Sequence, residues 1–468
     1  MFEEAGLAAS SSPGALSLKG RLLKDRAQRS EGEVRQRLLH EARAAYLQAA
    51  GDARATYPLI NAATLALLGG DVDEARALAR HVLDLLESGE HEPETRYWLR
   101  ATAAEARLLL GDHEGCRRAL VEAVASAPGA WEDQAATLSQ FRQILKHSGG
   151  DMALLDGFGA PPSLYYSGII GLSDQEEQVR AQIAQALDEI APASVYGALA
   201  AGTDILVAEL ALDRGAELHV VLPGSLDRFR EVSVRAFGEG WVARFDSVLD
   251  AAQSVAHPTD RPAFSRADVD SAARVAMGLA IRHASALAGS AIALRVGREG
   301  EALAAPEAAW TARGLPLREV RLAHPLPEAR RDLEADHGAS LIASPVPFSA
   351  LIECAARDVV ETEGGMYLAR FDTPVEAMAS ACAALADDPA SQFGFLRCNV
   401  LPGAGLGAAG ERATVLARAA APGEVCGFWP QVALFDLLAP SCRFEMAGEI
   451  VTPFGDLPVG RFTLPERG

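Results

Sequence analysis

Apolar residues recur at helical spacing almost without interruption from Glu31 to Lys146, as at Leu38, Ala42, Ala45 and Tyr46. This stripe is the mark of helices that bury one face. Further helices are predicted over 60–68, 75–86, 97–110 and 116–125. Gly51-Asp52, Gly70-Asp71 and Gly111-Asp112 each follow an apolar helix end. Glycine suits the left-handed position that ends a helix, and aspartate caps the next. Leu67-Leu-Gly-Gly-Asp71 and Leu109-Leu-Gly-Asp112 are two copies of one helix-turn-helix junction. Repeated antiparallel pairs of this kind predict a short tetratricopeptide-like solenoid over 31–150. Residues 1–30 are small, polar and loosely patterned, and are expected to be a flexible lead-in that becomes helical near its end.

After a linker at 148–162 the pattern changes. Short apolar runs begin at Leu164, Ser194, Glu217, Ala291 and Leu315. Helical stretches alternate with them over 174–190, 205–214, 229–249, 272–287 and 301–312. Strands alternating with helices predict a parallel, doubly wound sheet over 163–322. A second linker covers 323–338. The segment 339–465 alternates again: strands at 341–343, 364–371 and 393–401, helices at 348–361, 374–385, 412–420 and 428–438, and a strand-like tail. The predicted fold class is multidomain α and α/β.

The chain has 468 residues, 49% hydrophobic and 23% charged, with a formal net charge of −20. That is the profile of a globular protein. Its acidity argues against nonspecific binding to nucleic acid or anionic membranes. Six cysteines lie scattered without a C-x-x-C pair, and the ten histidines form no H-E-x-x-H. Reduced core thiols are expected, and neither a metal nor a resident cofactor. No run is long enough to span a bilayer and no signal peptide is evident, so the expected address is the cytoplasm.

The candidate site is the βαβ unit from Ser194 to Pro223. Its turn, Gly202-Thr203-Asp204, lies between an apolar run and a helix. In an open parallel sheet, ligands sit beyond the carboxyl ends of the strands, where the strand order reverses. That puts Gly168, Ala200 to Asp204, Pro223 and Gly224 on one rim. Gly202 lets backbone approach a phosphate, Thr203 offers a hydroxyl, and Asp204 caps the helix or holds a ribose hydroxyl. Arg228, Arg230, Arg235 and Arg244 form an exposed helix face from which a phosphate could be neutralised.

Three stretches carry family resemblances. Ile60-Asn-Ala-Ala-Thr64, Tyr97-Trp98 with Ala101-Thr102 and Glu105-Ala106, and Phe141-Arg-Gln143 resemble the TRAF-binding helical-repeat region of the apoptosis-signal-regulating kinases and their bacterial relatives. This resemblance implies assembly with protein partners. Ser167-Gly168, Tyr196 to Asp204, Glu209, Gly215 to Pro223 and Trp310 to Pro316 resemble the SLOG superfamily of Rossmann-like domains. It implies that Gly202 and Thr203 bind a nucleotide phosphate and that Glu209 works on an N-glycosidic bond. The chain departs from that pattern at Ile169-Ile170 and lacks the Pro-Gly-Gly-x-Gly-Thr signature of the hydrolases.

The last segment, with Gly364-Gly365, Phe371 to Ala377, Leu396 to Gly403 and Leu416 to Val425, resembles a class III nucleotide cyclase domain, which implies a ferredoxin-like fold. By position the first metal aspartate falls at Ser344, and the hairpin of the second is shortened away between Tyr367 and Phe371. The family's asparagine and arginine fall at Glu411 and Val415. The resemblance thus implies a pseudocyclase that pairs as a homodimer. The expected function is a cytoplasmic signalling or stress-response scaffold with a nucleotide-sensing Rossmannoid domain. The alternatives are a nucleoside-phosphate N-glycosidase acting through Glu209, and a scaffold without a small ligand.

Overall fold

The computed structural model describes residues 10–51, 54–172, 176–259, 264–322, 333–335, 337–362, 364–400 and 406–464. Among them, the chain up to Ala160 is one compact unit and Pro161–Leu464 a second.

The first unit is helical: α1 (Pro13–Gln28), α2 (Gly32–Ala50), α3 (Thr56–Leu68), α4 (Val72–Ser88), α5 (Arg96–Leu110), α6 (His113–Ser126) and α7 (Trp131–Ser148). Helices α1 to α6 pack in succession, each on the next, and α7 lies against α3 and α5. The Gly-Asp junctions work as expected. Gly70 and Gly111 take positive φ, 91° and 83°, and Asp71 and Asp112 cap α4 and α6 through the N–H groups of Glu74 and Gly115. At the third junction Gly51 also has positive φ, while Asp52 lies outside the described residues.

The repeat starts earlier than expected. Where the sequence suggested a flexible lead-in, Ser12 caps α1 and Pro13 occupies its first turn. The buried face of α1 is Ala15, Leu16, Gly20 and Ala27, too small in side-chain volume to give a clear stripe. Its packing needs that smallness, since a Cβ on Gly20 would come within 2.7 Å of the Tyr46 ring.

The second unit holds two sheets. The first comprises β1 (Ser163–Ser167), β2 (Ser194–Gly197), β3 (Glu217–Val221), β4 (Ser254–Ala256), β5 (Ala291–Arg298) and β6 (Leu317–Leu322). All pairings are parallel, in the order β4-β3-β2-β1-β5-β6. The strand order reverses between β1 and β5. Helices α8 (Glu176–Ile190), α9 (Thr203–Leu212), α10 (Leu226–Ser233), α11 (Glu239–Asp250), α12 (Arg266–Ala286) and α13 (Ala305–Ala312) connect the strands. The long helix expected over 229–249 is two helices, broken by a short 3-10 turn and by Gly238 at φ 126°.

The second sheet is mixed. It comprises β7 (Gly338–Ser344), β8 (Asp358–Glu361), β9 (Tyr367–Phe371), β10 (Phe393–Asn399), β11 (Glu424–Phe428), β12 (Glu445–Thr452) and β13 (Gly455–Thr463). Their order is β12-β13-β11-β10-β7-β9-β8; only β10 and β11 run parallel. Helices α14 (Ala350–Ala355), α15 (Pro374–Asp387), α16 (Gly407–Ala419) and α17 (Leu434–Leu438) accompany it. The helix expected over 348–361 stops at Ala355. Residues 358–361 instead pair with Tyr367–Arg370, a geometry that the β-branched Val359-Val360 favours.

The two sheets share one apolar core. Helix α12 covers β1 and β2 with one side and α17 with another. Tyr165, Val275 and Met277 belong to the same buried cluster as Phe395, Phe435 and Phe444. The close approach needs Gly278, because a Cβ there would strike the backbone carbonyl of Ala433. The segments predicted as separate domains, 163–322 and 339–465, are thus built around a common helix. Packing also brings two of the scattered cysteines together, with Cys382 Sγ 3.6 Å from Cys442 Sγ.

Candidate functional site: a crevice at the strand reversal

Beyond the carboxyl ends of β1 and β5, where the strand order reverses, lies a cavity of about 410 Å3. Its walls are the end of β1 (Tyr166 to Ile170), the loop after β2 (Ala198, Ala200), the first turns of α12 (Arg266, Asp270, Ala273), the end of β5 (Arg295, Val296, Arg298) and the start of α13 (Ala304, Pro306, Glu307). This is where a doubly wound sheet receives ligands. Of the residues expected on the rim, Gly168, Asp204 and Pro223 line this cavity.

Gly202 and Thr203 do not line it, because the turn is closed by the chain itself. The segment after β1 runs across it. The Thr203 N–H and hydroxyl both donate to the Ile169 carbonyl, at 3.2 and 3.1 Å. Gly171 N–H donates to Ala201 O at 2.7 Å, and Ile170 bridges Gly202. The donors that would hold a phosphate at the start of α9 are spent on a peptide carbonyl. Gly202 is required for that fit: its φ is 105°, and a Cβ would come within 2.8 Å of Ile169 O and Gly171 N. Asp204, on the first turn of α9, is buried and accepts from Ala200 N–H at 3.3 Å. Gly224 is off the cavity wall, with its carbonyl bound by His257 Nδ1 at 3.1 Å.

Glu209 points elsewhere. Arg244 grips its carboxylate with two hydrogen bonds of 2.7 Å, and Arg180 adds a third at 2.9 Å. Burial pushes its pKa up, but the hydrogen bonds from Arg244 and Arg180 outweigh it and hold the carboxyl below its usual range. The group is a committed anion between α8, α9 and α11, and it is absent from the cavity lining. Arg244 also contacts Glu176 at 2.6 Å and stacks over Trp241. Arg230 pairs with Asp246, and Arg235 with Glu231 and Glu239. Neither these nor Arg228 faces the crevice.

The chemistry that does face it came from parts of the chain the sequence reading passed over. Arg295 sits inside an apolar strand and is 7% exposed. It is neutralised by Glu319 at 3.0 Å and Glu301 at 3.1 Å. A lone charge in the run Ala291-Ile-Ala-Leu-Arg-Val296 was the available signal. Glu307 is 6% exposed. One carboxylate oxygen accepts from Ser167 Oγ at 2.8 Å, and the other has no partner among the described residues. Burial, then the nearby Glu307 carboxylate, raise the Tyr165 phenol well above its usual pKa.

A second cavity, of about 810 Å3, lies between β8, β9, α16 and Phe454. Glu411 and Val415, at the positions of the cyclase asparagine and arginine, line it; Ser344 does not. Ser344 is buried at the end of β7, where its hydroxyl accepts from Val346 N–H at 3.2 Å. The hairpin of the second metal aspartate was expected to be shortened away between Tyr367 and Phe371; the turn ahead of this stretch is closed by Thr362 N–H to Met366 O at 2.8 Å. Residues 367–371 are a continuous strand. Among the described residues, no group of three or more His, Cys, Asp or Glu is placed to hold a metal.

In the first unit, the motif residues of the repeats meet. Glu105 accepts from Thr64 Oγ1 at 2.6 Å and Gln140 Nε2 at 2.8 Å. Lys24 Nζ donates to Gln140 Oε1 and, at 3.4 Å, to Asn61 Oδ1. Burial lowers the Lys24 pKa and raises that of Glu105. Tyr97 donates to Thr137 Oγ1 at 2.9 Å. The network ties α1, α3, α5 and α7 into one body.

Residues 3–66 match the family model described as Tetratricopeptide Repeats-Sensor. The helical repeats are therefore of tetratricopeptide type. Lys24, Asn61 and Thr64 fall inside the match, while Glu105 and Gln140 extend the same network beyond it. Among solved structures, a mutant O-GlcNAc transferase from Thermobaculum terrenum is similar at 12% identity, over 67% of this chain and 76% of that one. Its TM-score of 0.18 is too low to bear on the fold. No curated protein matches. No helix among the described residues is long and apolar enough to cross a membrane.

Proposed function

We propose that the chain is a signalling scaffold whose helical repeats bind protein partners and whose crevice between β1 and β5 senses a nucleotide-derived ligand. The observation that carries the ligand half is the cavity itself. It lies at the strand reversal of an all-parallel sheet, where that architecture binds small molecules. The repeats carry the scaffold half: stacked helix pairs offer extended faces for partners, and the family description that matches them includes the word sensor.

Binding is favoured over turnover. Glu209, the carboxylate that the SLOG resemblance nominates for N-glycosidic chemistry, is held by two arginines away from the cavity. The cyclase-like segment is read as an assembly module, a role consistent with the buried Ser344 and with Val415 in place of an arginine.

The test is thermal denaturation of the full chain against ribonucleotides, nucleotide sugars and dinucleotides. A saturable rise in melting temperature is expected, and its loss in Ala273→Phe, which fills the cavity from α12. No shift with any ligand would leave the scaffold without a sensor. A shift that survives Ala273→Phe would move the site elsewhere.

A further inference from the structure

Glu307 is a buried carboxyl on the cavity wall with one side-chain hydrogen bond among the described residues. It lies in the first turn of α13, so the helix dipole offsets part of its burial. That bond comes from Ser167, and among the described residues the carboxylate has no ion pair. Arg295, on the same wall, is already matched by Glu301 and Glu319 and by a hydrogen bond to Ala302 O. A buried carboxylate oxygen without a partner is costly and uncommon, and here it borders a cavity at the strand reversal. What satisfies it is a hydrogen-bond donor.

The same geometry disfavours a phosphate at depth. At the Gly202 turn the Thr203 N–H is taken by Ile169 O and the Ala201 N–H by Ser233 O. Buried carboxylates, Glu307 and Asp204, line the interior. A cation with access to solvent stands at the mouth: Arg266, whose side chain is 57% exposed beside Asp270.

Resting on the nucleotide-sensing reading above, we propose that Glu307 binds the ribose hydroxyls of the ligand, so that the sugar enters first and any phosphate stays at the Arg266 rim. A vicinal diol offers two O–H donors to one carboxylate. Dinucleotide folds place their ribose-binding acid at the end of the second strand, where this chain has Gly197 to Ala200. The present assignment puts it on the far side of the reversal, and Ser167 orients it.

The probes are the four ribonucleosides, their 5′-monophosphates, their 2′,3′-dideoxy forms and inorganic phosphate, titrated calorimetrically into the full chain. At least one ribonucleoside is expected to bind about as well as its monophosphate, and its dideoxy form and phosphate alone to bind at least about tenfold more weakly. Glu307→Gln is expected to weaken the ribonucleoside by a similar factor and to melt no lower than the wild type, since it removes a buried charge. Glu307→Asp keeps the charge and serves if the glutamine variant does not fold; it is expected to recover part of the affinity. Equal affinity in Glu307→Gln, or equal binding of the dideoxy form, overturns this assignment while leaving the sensor reading intact. Failure of every nucleoside and nucleotide to bind the wild type overturns both.

Discussion

Arg282 on α12 donates from Nε and a terminal nitrogen to one carboxylate oxygen of Asp436 on α17, at 3.0 and 2.7 Å. Asp436 is buried and Arg282 mostly so, and Arg282 also stacks over Trp429. The pair sits where the helix that covers the parallel sheet meets the elements of the mixed sheet. Beside it Arg313 donates to the Leu437 carbonyl at 2.8 Å.

Removing one member of such a pair leaves the other with only a distant partner, Arg443 at 3.9 Å for Asp436 or Glu445 at 3.8 Å for Arg282. Asp436→Leu or Arg282→Met is expected to cost about 3–5 kcal/mol, and the double substitution much less than the sum. Chemical denaturation of the four proteins checks it. Additive losses would mean that the two residues act independently.

Two histidines predict an acid sensitivity. His219 on β3 stacks on Tyr196, with ring centroids 4.5 Å apart, and its Nδ1 lies 2.8 Å from Ser254 Oγ. His283 on α12 meets the Tyr196 hydroxyl at 2.6 Å and Ser194 Oγ at 3.1 Å. Burial lowers both pKa values; His283 lowers His219 further, and Glu217 opposes both shifts. A lowered pKa means that the unfolded chain binds more protons as acid is added. The stability these groups contribute is therefore full above about pH 6.5 and is lost as the pH falls through their folded values. The melting temperature is expected to drop between pH 7 and 5, less steeply in His219→Phe with His283→Gln. Parallel slopes for variant and wild type would refute it.

Glu209→Gln is expected to act on stability and not on catalysis. Exchanging a charged acceptor for a neutral one is expected to cost about 1.5–3 kcal/mol. The depressed carboxyl contributes stability that is present above about pH 4.3 and lost as the pH falls through its folded pKa, so the variant's deficit is expected to shrink in acid. Base release from nucleoside monophosphates is expected to be the same in both proteins. Release that disappears in Glu209→Gln would restore the glycosidase reading.

Much of the architecture is legible along the chain because it is set by short-range pattern. Gly70-Asp71 and Gly111-Asp112 mark helix junctions, since capping and left-handed glycine act over a few residues. The alternation of runs from Leu164 to Leu322 gives a parallel sheet, and the sheet gives the rim at Gly168, Asp204 and Pro223. Helix α1 was hidden because its buried face is small apart from Leu16. Strand β8 was hidden because Asp358-Val-Val-Glu361 is short and exposed, and only its partner β9 makes it a strand.

By itself, then, the sequence determined the repeats, the strand-helix alternation and the place of the crevice, each through residues near one another in the chain. The tertiary structure decided what that site is made of. Ile169 closes the Gly202 turn from 34 residues away, and Ser167 meets Glu307 across 140. Glu209 is turned outward to Arg244, and α12 joins two sheets through Gly278 and Arg282. These outcomes depend on which polar groups find partners when distant segments pack, and no local pattern of hydrophobic and polar positions encodes that.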